Sequence, residues 1–153
     1  MTNVYRLQVN SSIYELARVR SWFQQFKSLP KPFRQQLDLA LTEGFSNVIY
    51  HAHEHLPEET PIEIEVQIFP DRLELRIWDY GQPFDLFSKK RTLDQRHQEI
   101  FDVDDIPTGG RGLMIMESIA DQISYDRTAD ERNCLFIAKN LPDAATPPAT
   151  PPG

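Results

Sequence analysis

The sequence predicts a two-layer α+β sandwich, in which a mixed, mostly antiparallel sheet is covered by helices on one face. Two patterns support this fold class. Residues 62–68 and 73–78 alternate between apolar and polar side chains on either side of a short turn, which is typical of an antiparallel hairpin with polar residues such as Glu65 facing water. Residues 36–53 repeat apolar side chains at three- and four-residue steps, which is typical of an amphipathic helix. The dry face of the hairpin and the apolar face of the helix are expected to pack together.

Length and composition are those of one soluble globular domain. The 153 residues are 40% hydrophobic and 25% charged, and no apolar run is long enough to span a bilayer. The first residues lack the basic and apolar regions of a signal peptide, so a cytoplasmic protein is expected. The net charge of −7 argues against broad nucleic-acid binding, which depends on Lys and Arg. The single cysteine, Cys134, is expected to be a small buried hydrophobic residue.

The N-terminal half is predicted to contain one strand and two helices. Residues 4–9 alternate and form a short strand. Ser12 follows as an N-cap for a helix over residues 13–27, which ends before two closely spaced prolines. The second helix, the amphipathic one, is expected to run to about His55.

The C-terminal half is less regular. Residues 84–108 show no clear period, and a segment of this length in a compact domain is typical of a functional lid or of disorder. A short apolar helix over residues 113–120 and strands over residues 122–125 and 133–139 are predicted to follow. Residues 141–153 contain five prolines and are predicted to be a disordered tail, so the folded domain is expected to span residues 1–140.

The amphipathic helix carries a second, polar stripe. Glu43, Asn47 and His51 lie four residues apart and are expected to share one side of the helix. Gly44 lies beside them, and glycine lowers helix propensity by about 1 kcal/mol relative to alanine, which suggests a close approach to the backbone. An ordinary amphipathic helix with unremarkable polar residues is the alternative.

The glycines are concentrated around the same region. Five of the six are Gly44, Gly81, Gly109, Gly110 and Gly112. A glycine-rich turn that opens a helix offers backbone N–H groups and the positive end of the helix dipole to an anion such as phosphate. Asp79 ends a predicted strand, where it could accept hydrogen bonds from an exocyclic amine while a glycine lets a flat ring approach. The alternatives are an ordinary glycine turn and a turn aspartate.

These motifs occur in a characteristic order: Glu43 and Asn47 on a helix, Asp79 and Gly81 after a hairpin, and residues 109–112 before a helix. In this order the chain resembles the GHKL (Bergerat-fold) ATP-binding superfamily. Within it, the chain resembles the anti-sigma-factor serine/threonine kinases of the RsbW type, over about residues 4–140. It departs from the superfamily pattern at Pro83, where a second glycine is usual, and this affects the shape of the base pocket and the freedom of the lid.

The resemblance implies a site residue by residue. Asn47 would bind Mg²⁺, Glu43 would act as general base, and Asp79 would accept a hydrogen bond from the adenine amine. Gly81 would line the base pocket. The phosphates would be covered at the end of the ATP lid by Gly109, Gly110, Arg111 and Gly112.

The resemblance also implies a function. The chain would use ATP and Mg²⁺ to phosphorylate a serine or threonine of an anti-anti-sigma STAS-domain protein, and would bind a sigma factor in a partner switch that regulates transcription. Family members are often homodimers. The alternative is a non-catalytic module of the same fold that binds ATP or a partner.

Three histidines lie near the end of the second helix at every second position: His51, His53 and His55. Residues two apart on a helix do not face each other, so a metal site is disfavoured. They are expected to interact with the helix dipole and solvent, and His51 is expected to support the side chains of Glu43 and Asn47.

Overall fold

The computed structural model of the protein describes residues 3–82 and 108–142. Within these two ranges, five strands form one open sheet: β1 (Asn3–Asn10), β2 (Pro61–Ile68), β3 (Arg72–Asp79), β4 (Gln122–Arg127) and β5 (Asn133–Asn140). Their order is β1-β2-β3-β5-β4. All four neighbouring pairs among these strands are antiparallel. The predicted α+β fold class and the predicted hairpin are confirmed.

The described helices are α1 (Leu16–Phe23), α2 (Lys31–Asn47) and α3 (Thr108–Ile119). A 3₁₀ helix, Ile13–Glu15, leads into α1, and a π-helical turn, Val48–Ala52, continues α2. Within residues 3–82 and 108–142, none of the helices has the length and apolar content that a membrane span requires.

The helix boundaries follow from local chemistry. The predicted N-cap is confirmed, since Ser12 Oγ accepts a hydrogen bond from the backbone N–H of Tyr14 at 3.2 Å. The first helix ends at Phe23, earlier than predicted. Helix α2 begins at Lys31, since proline is tolerated in the first helical turn, where its missing N–H would have no partner.

The core lies between the sheet and the helices. The inward side chains of the central hairpin are at most 1% exposed: Ile62, Ile64, Val66, Leu73, Leu75 and Ile77. The helices contribute fully buried residues against them, including Phe23, Leu37, Leu41, Phe45, Leu113 and Met116. Burying each such side chain stabilises the fold by about 1.5–3 kcal/mol, so the two amphipathic faces hold the layers together.

The alternation in β2 predicted that the polar side chains on the outer face of the sheet are exposed to water, and for Glu65 this is wrong. Glu65 is only 7% exposed. Arg6 lies 2.9 Å from it on one side and Arg76 lies 3.6 Å from it on the other. These arginines cover the carboxylate, because facing residues of antiparallel strands come close enough to pair. Cys134, also on this face, is half-buried rather than buried, and desolvation raises the pKa of its thiol to about 11.

Most of the predicted lid and of the predicted tail lies outside the described residues. Pro83 and residues 84–107 of the predicted lid lie outside the described residues, as do residues 143–153 of the predicted tail. Helix α3 begins at Thr108, so the glycines predicted to form a turn before the helix lie within its first turns.

Candidate functional site

Glu43 lies on α2 where this helix packs against α3. A Cβ atom placed on Gly112 would lie 2.6 Å from Glu43 Oε2. The Glu43 carboxylate therefore rests against the backbone of α3, and glycine makes room for it. Desolvation at this contact raises the pKa of Glu43 above its ordinary value of 4.5.

Asn47 is the last residue of α2, one helical turn after Glu43. Its Nδ2 atom is buried and has no hydrogen-bond partner in the part of the chain that the structure describes. Leaving a buried amide donor unsatisfied costs about 1–3 kcal/mol, and such groups are rare in folded proteins. A ligand that places an acceptor atom, such as a phosphate oxygen, beside Nδ2 would satisfy this donor.

The polar stripe predicted on this helix continues past Asn47 into a different helical form. From Val48 the chain adopts a π-helical turn, in which the backbone N–H of His53 donates to the carbonyl of Val48 at 2.7 Å. Residues four apart lie on about the same side of the helix in an α turn and in a π turn. The support that His51 was expected to give to Glu43 and Asn47 stays a prediction.

Gly44 serves the packing of α2 on the sheet. A Cβ atom there would lie 2.8 Å from Ile77 Cδ1 and 3.0 Å from Leu135 Cδ2. The close approach predicted for this glycine is confirmed, and the approaching groups are core side chains of β3 and β5.

Asp79 ends β3 on the helix-covered face and is 1% exposed. Its Oδ1 accepts hydrogen bonds from the backbone N–H of Gly81 at 2.8 Å and from Asn133 Nδ2 at 2.9 Å. Its Oδ2 accepts one from the Tyr125 hydroxyl at 2.7 Å. Because each carboxylate oxygen accepts about two hydrogen bonds, the contacts with residues 3–82 and 108–142 leave Oδ2 one acceptor position for a ligand amine.

Sequence reasoning missed the residues that hold Asp79. Antiparallel pairing of β3 with β5 places Asn133 directly opposite Asp79, and pairing of β5 with β4 adds Tyr125 and Arg127. Arg127 Nη1 donates to the carbonyl of Gly81 at 3.0 Å. Burial, followed by the neighbouring Asp79 carboxylate, raises the pKa of Tyr125, so its hydroxyl stays a donor. The sequence contained one indication of these partners: Asn133 is a polar residue at the start of a strand that is otherwise mostly apolar.

Gly81 contacts the π-helical turn. A Cβ atom on Gly81 would lie 2.6 Å from the carbonyl oxygen of Ala52. Because that neighbour is backbone, a side chain at this position would have to move the turn. The role of Gly81 in lining a base pocket stays a prediction.

His53 is 3% exposed, so the expectation that it faces solvent is wrong. Its Nε2 accepts a hydrogen bond from the backbone N–H of Tyr80 at 2.8 Å, and its Nδ1 lies 3.1 Å from Ser11 Oγ. The side chain of His55 is 89% exposed and matches the expectation. Desolvation lowers the pKa of His53 from its ordinary value of 6.5, although Asp79 acts in the opposite direction.

The glycine-rich segment, residues 109–112, forms the start of α3. The first N–H groups of a helix have no intrahelical acceptor, and with the helix dipole they favour an anion. Arg111 lies in the same turn and is half-buried. The glycine-rich segment therefore still offers N–H donors to an anion, although it lies inside the helix and not before it.

These residues fit ATP and Mg²⁺. Asp79 has acceptor capacity for an amine, and the start of α3 and the Asn47 Nδ2 atom offer donors for phosphate. The oxygen of the same Asn47 amide is a ligand type that Mg²⁺ prefers. The Asp79 group and the Glu43 group both adjoin the C-terminal part of α2 and its π-helical extension.

Comparison with known proteins adds sequence similarity to this geometry. Residues 9–139 match the family described as the histidine kinase-like ATPase domain. The chain is similar to the serine-protein kinase RsbW of Bacillus licheniformis, with 30% identity over 89 residues, which cover 58% of this chain and 55% of that protein. It is also similar to RsbW of Listeria innocua, with 31% identity over 94 residues, which cover 60% and 59%. The matched region thus spans little more than half of each relative.

A solved structure shares the fold. The crystal structure of the RsbU and RsbW domains of a Mycobacterium tuberculosis protein aligns with a TM-score of 0.57 and 11% identity, covering 91% of this chain and 32% of that one. At this identity the likeness concerns the fold alone. Because the family match extends from β1 to β5, the chain belongs to the histidine kinase-like ATPase domain family.

Proposed function

We propose that the protein is an ATP-dependent protein serine/threonine kinase and anti-sigma factor, acting in the cytoplasm on a STAS-domain anti-anti-sigma protein. The observation that carries the proposal is the half-buried Glu43 carboxylate, held against α3 at Gly112 and one helical turn before Asn47. A carboxylate beside an anion-binding helix start is what phosphoryl transfer to a hydroxyl requires. The relatives named above are serine-protein kinases.

Glu43 takes the proton from the acceptor hydroxyl. The pKa of this carboxylate is raised toward neutral pH, and a general base is most effective when its pKa lies near the working pH. The transfer rate is therefore expected to fall on the acid side at a pH above the ordinary glutamate value of 4.5. The start of α3 and Arg111 hold the phosphates, and the Asn47 amide oxygen holds Mg²⁺, which neutralises phosphate charge when bound.

Asp79 determines which nucleotide base is bound. With donors from Tyr125, Asn133 and Gly81 already in place, its carboxylate can only accept a further hydrogen bond. It therefore suits the amine of adenine and disfavours the carbonyl oxygen that guanine presents at the same ring position, since two acceptors would meet without a proton.

The partners form part of the proposal. One surface would bind either a sigma factor or the unmodified antagonist, with the nucleotide biasing the choice, and the active form would be a homodimer. Phosphate on the antagonist serine would weaken rebinding to a chain of net charge −7, through repulsion and desolvation.

The test is transfer of labelled γ-phosphate from ATP to candidate STAS-domain proteins. Glu43→Gln is expected to retain binding of Mg²⁺ and ATP but to lose most transfer, because only the proton acceptor is removed. Asn47→Ala is expected to impair both binding and transfer. Glu54→Gln is the matched control, since this glutamate side chain is 60% exposed, and it should behave as wild type.

The outcomes separate the two candidate functions. If Glu43→Gln still transferred phosphate at the wild-type rate, the assignment of Glu43 as general base would be wrong. Wild-type protein that binds ATP but labels none of the acceptors would instead support a non-catalytic ATP-binding module of the same fold.

A further inference from the structure

His53 has no role in the proposed catalytic step, but it connects three parts of the chain. It ends the π-helical turn, and its ring lies between Ser11, after β1, and Tyr80, after β3. Because Nε2 accepts the Tyr80 N–H, it carries no proton, and Nδ1 must be the protonated nitrogen that donates to Ser11 Oγ. The ring is therefore neutral in this arrangement.

The Tyr80 N–H lies between the two residues of the candidate base site. Asp79 precedes it, and Gly81 donates to Asp79 and packs on Ala52 of the π-helical turn. The contacts at Gly81 and at Tyr80 together clamp the end of β3 to the end of α2. Loosening the hydrogen bond to His53 would free the peptide that presents Asp79.

We propose that His53 is a positioning residue of the nucleotide site, which holds the segment from Asp79 to Gly81 through the Tyr80 N–H and so makes nucleotide affinity dependent on its own protonation. The proposal rests on the proposed binding of ATP at Asp79. An imidazolium has two donors and no acceptor, so a proton on Nε2 would face the N–H of Tyr80 and break the clamp.

The surroundings oppose that protonation at neutral pH. Among the described residues, the groups from neighbouring elements that face the ring are the Ser11 hydroxyl, the Tyr80 backbone and the Asp79 carboxylate, whose charge acts on the titration of His53. Desolvation outweighs the attraction of Asp79 and lowers the pKa of His53 below 6.5. The folding stability that depends on neutral His53 is thus present above the ordinary value of 6.5, which applies to the unfolded chain, and declines as the pH falls from there toward the lower pKa of the folded protein. The clamp itself opens only as the pH falls through that lower pKa.

The experiment measures ATP affinity by calorimetry, in the presence of Mg²⁺, from pH 7.5 downwards. Wild type, His53→Gln and His55→Gln are compared, so that the titration of ATP itself and of other groups cancels. The glutamine Oε1 can accept the Tyr80 N–H at every pH. His55→Gln removes an exposed imidazole two residues away. Circular dichroism reports whether each protein stays folded.

Wild type and His55→Gln are expected to lose about tenfold in affinity at one pH unit below the His53 pKa, because about one molecule in eleven then remains competent. His53→Gln should bind as wild type does at pH 7.5, within about threefold, and should lack this additional loss. The same acid loss in His53→Gln would overturn the inference while leaving ATP binding intact. Absence of ATP binding to wild type at every pH would instead overturn the proposed function, and this inference with it.

A second measurement needs no variant. The pKa of His53 in the wild-type protein can be followed by NMR with and without ATP. Linkage is reciprocal, so a proton that weakens ATP binding must itself bind less well when ATP is present, and the pKa should fall on adding ATP. An unchanged pKa in a protein that binds ATP would contradict the inference.

Discussion

The Tyr125 hydroxyl illustrates how a residue outside every motif can determine the state of a motif residue. It donates to Asp79 Oδ2 at 2.7 Å in a buried environment, while Asn133 and Gly81 hold Oδ1. Nothing in the local sequence around Tyr125 marks it, because the contact spans 46 residues of chain. The sequence motif identified Asp79 as a site residue, whereas the residues that contact it follow from how β3, β5 and β4 pair in the sheet.

Tyr125→Phe is expected to destabilise the fold by about 1–3 kcal/mol, because a buried carboxylate oxygen loses its donor. Urea unfolding measures the change. Tyr14→Phe removes the same hydroxyl from a side chain that is 90% exposed, and it should change stability by less than about 0.5 kcal/mol. Equal effects of the two variants would contradict the role given to Tyr125.

Gly112→Ala tests the contact between Glu43 and α3. The new Cβ would lie 2.6 Å from Glu43 Oε2, so the carboxylate must move. Alanine also improves helix propensity by up to about 1 kcal/mol. The variant is therefore expected to fold at least as stably as wild type and yet to transfer phosphate at least about tenfold more slowly, since misplaced catalytic groups lose large factors in rate. Ser118→Ala, at an exposed position of the same helix, is the control, and a transfer rate unchanged by Gly112→Ala would contradict the placement of Glu43.

At the scale of elements, periodicity predicted which segments form helices and strands, and local capping and packing decided where they end. Strict alternation identified β2 and β3 almost to the residue. The helical period, by contrast, continues through residues 48–52, where the chain forms a π turn. The close contact of Gly81 with Ala52 lies across this turn, and apolar spacing within one segment carries no information about such a contact.

Two glycine substitutions compare the packing of these elements. In Gly81→Ala the new Cβ would meet the Ala52 carbonyl, which is backbone, at 2.6 Å, and a loss of about 1–3 kcal/mol is expected. In Gly44→Ala the nearest atom, at 2.8 Å, is the tip of the Ile77 side chain. The gain in helix propensity of about 1 kcal/mol offsets that strain, so a smaller net change is expected. Urea unfolding of both variants decides, and a larger loss for Gly44→Ala would contradict this account of the turn.

At the scale of the whole molecule, the strand order was beyond sequence reasoning. The sequence predicted five strands, but the placement of β5 between β3 and β4 depends on contacts between distant segments. That placement brings Asn133 opposite Asp79 and so completes the candidate site. The order of β1, β2 and β3 likewise explains the outer face, where Arg6 and Arg76 from the two neighbouring strands cover Glu65.

Both the proposed kinase activity and the proposed role of His53 depend on ATP binding at Asp79. Calorimetry of ATP and GTP with wild type and Asp79→Ala is the most direct test, with circular dichroism to verify folding. We predict that wild type binds ATP in preference to GTP, and that Asp79→Ala stays folded but binds ATP at least about fivefold more weakly, a loss of about 1–3 kcal/mol for an amine left without its buried acceptor. Equal ATP affinity of wild type and a folded Asp79→Ala variant would contradict the account.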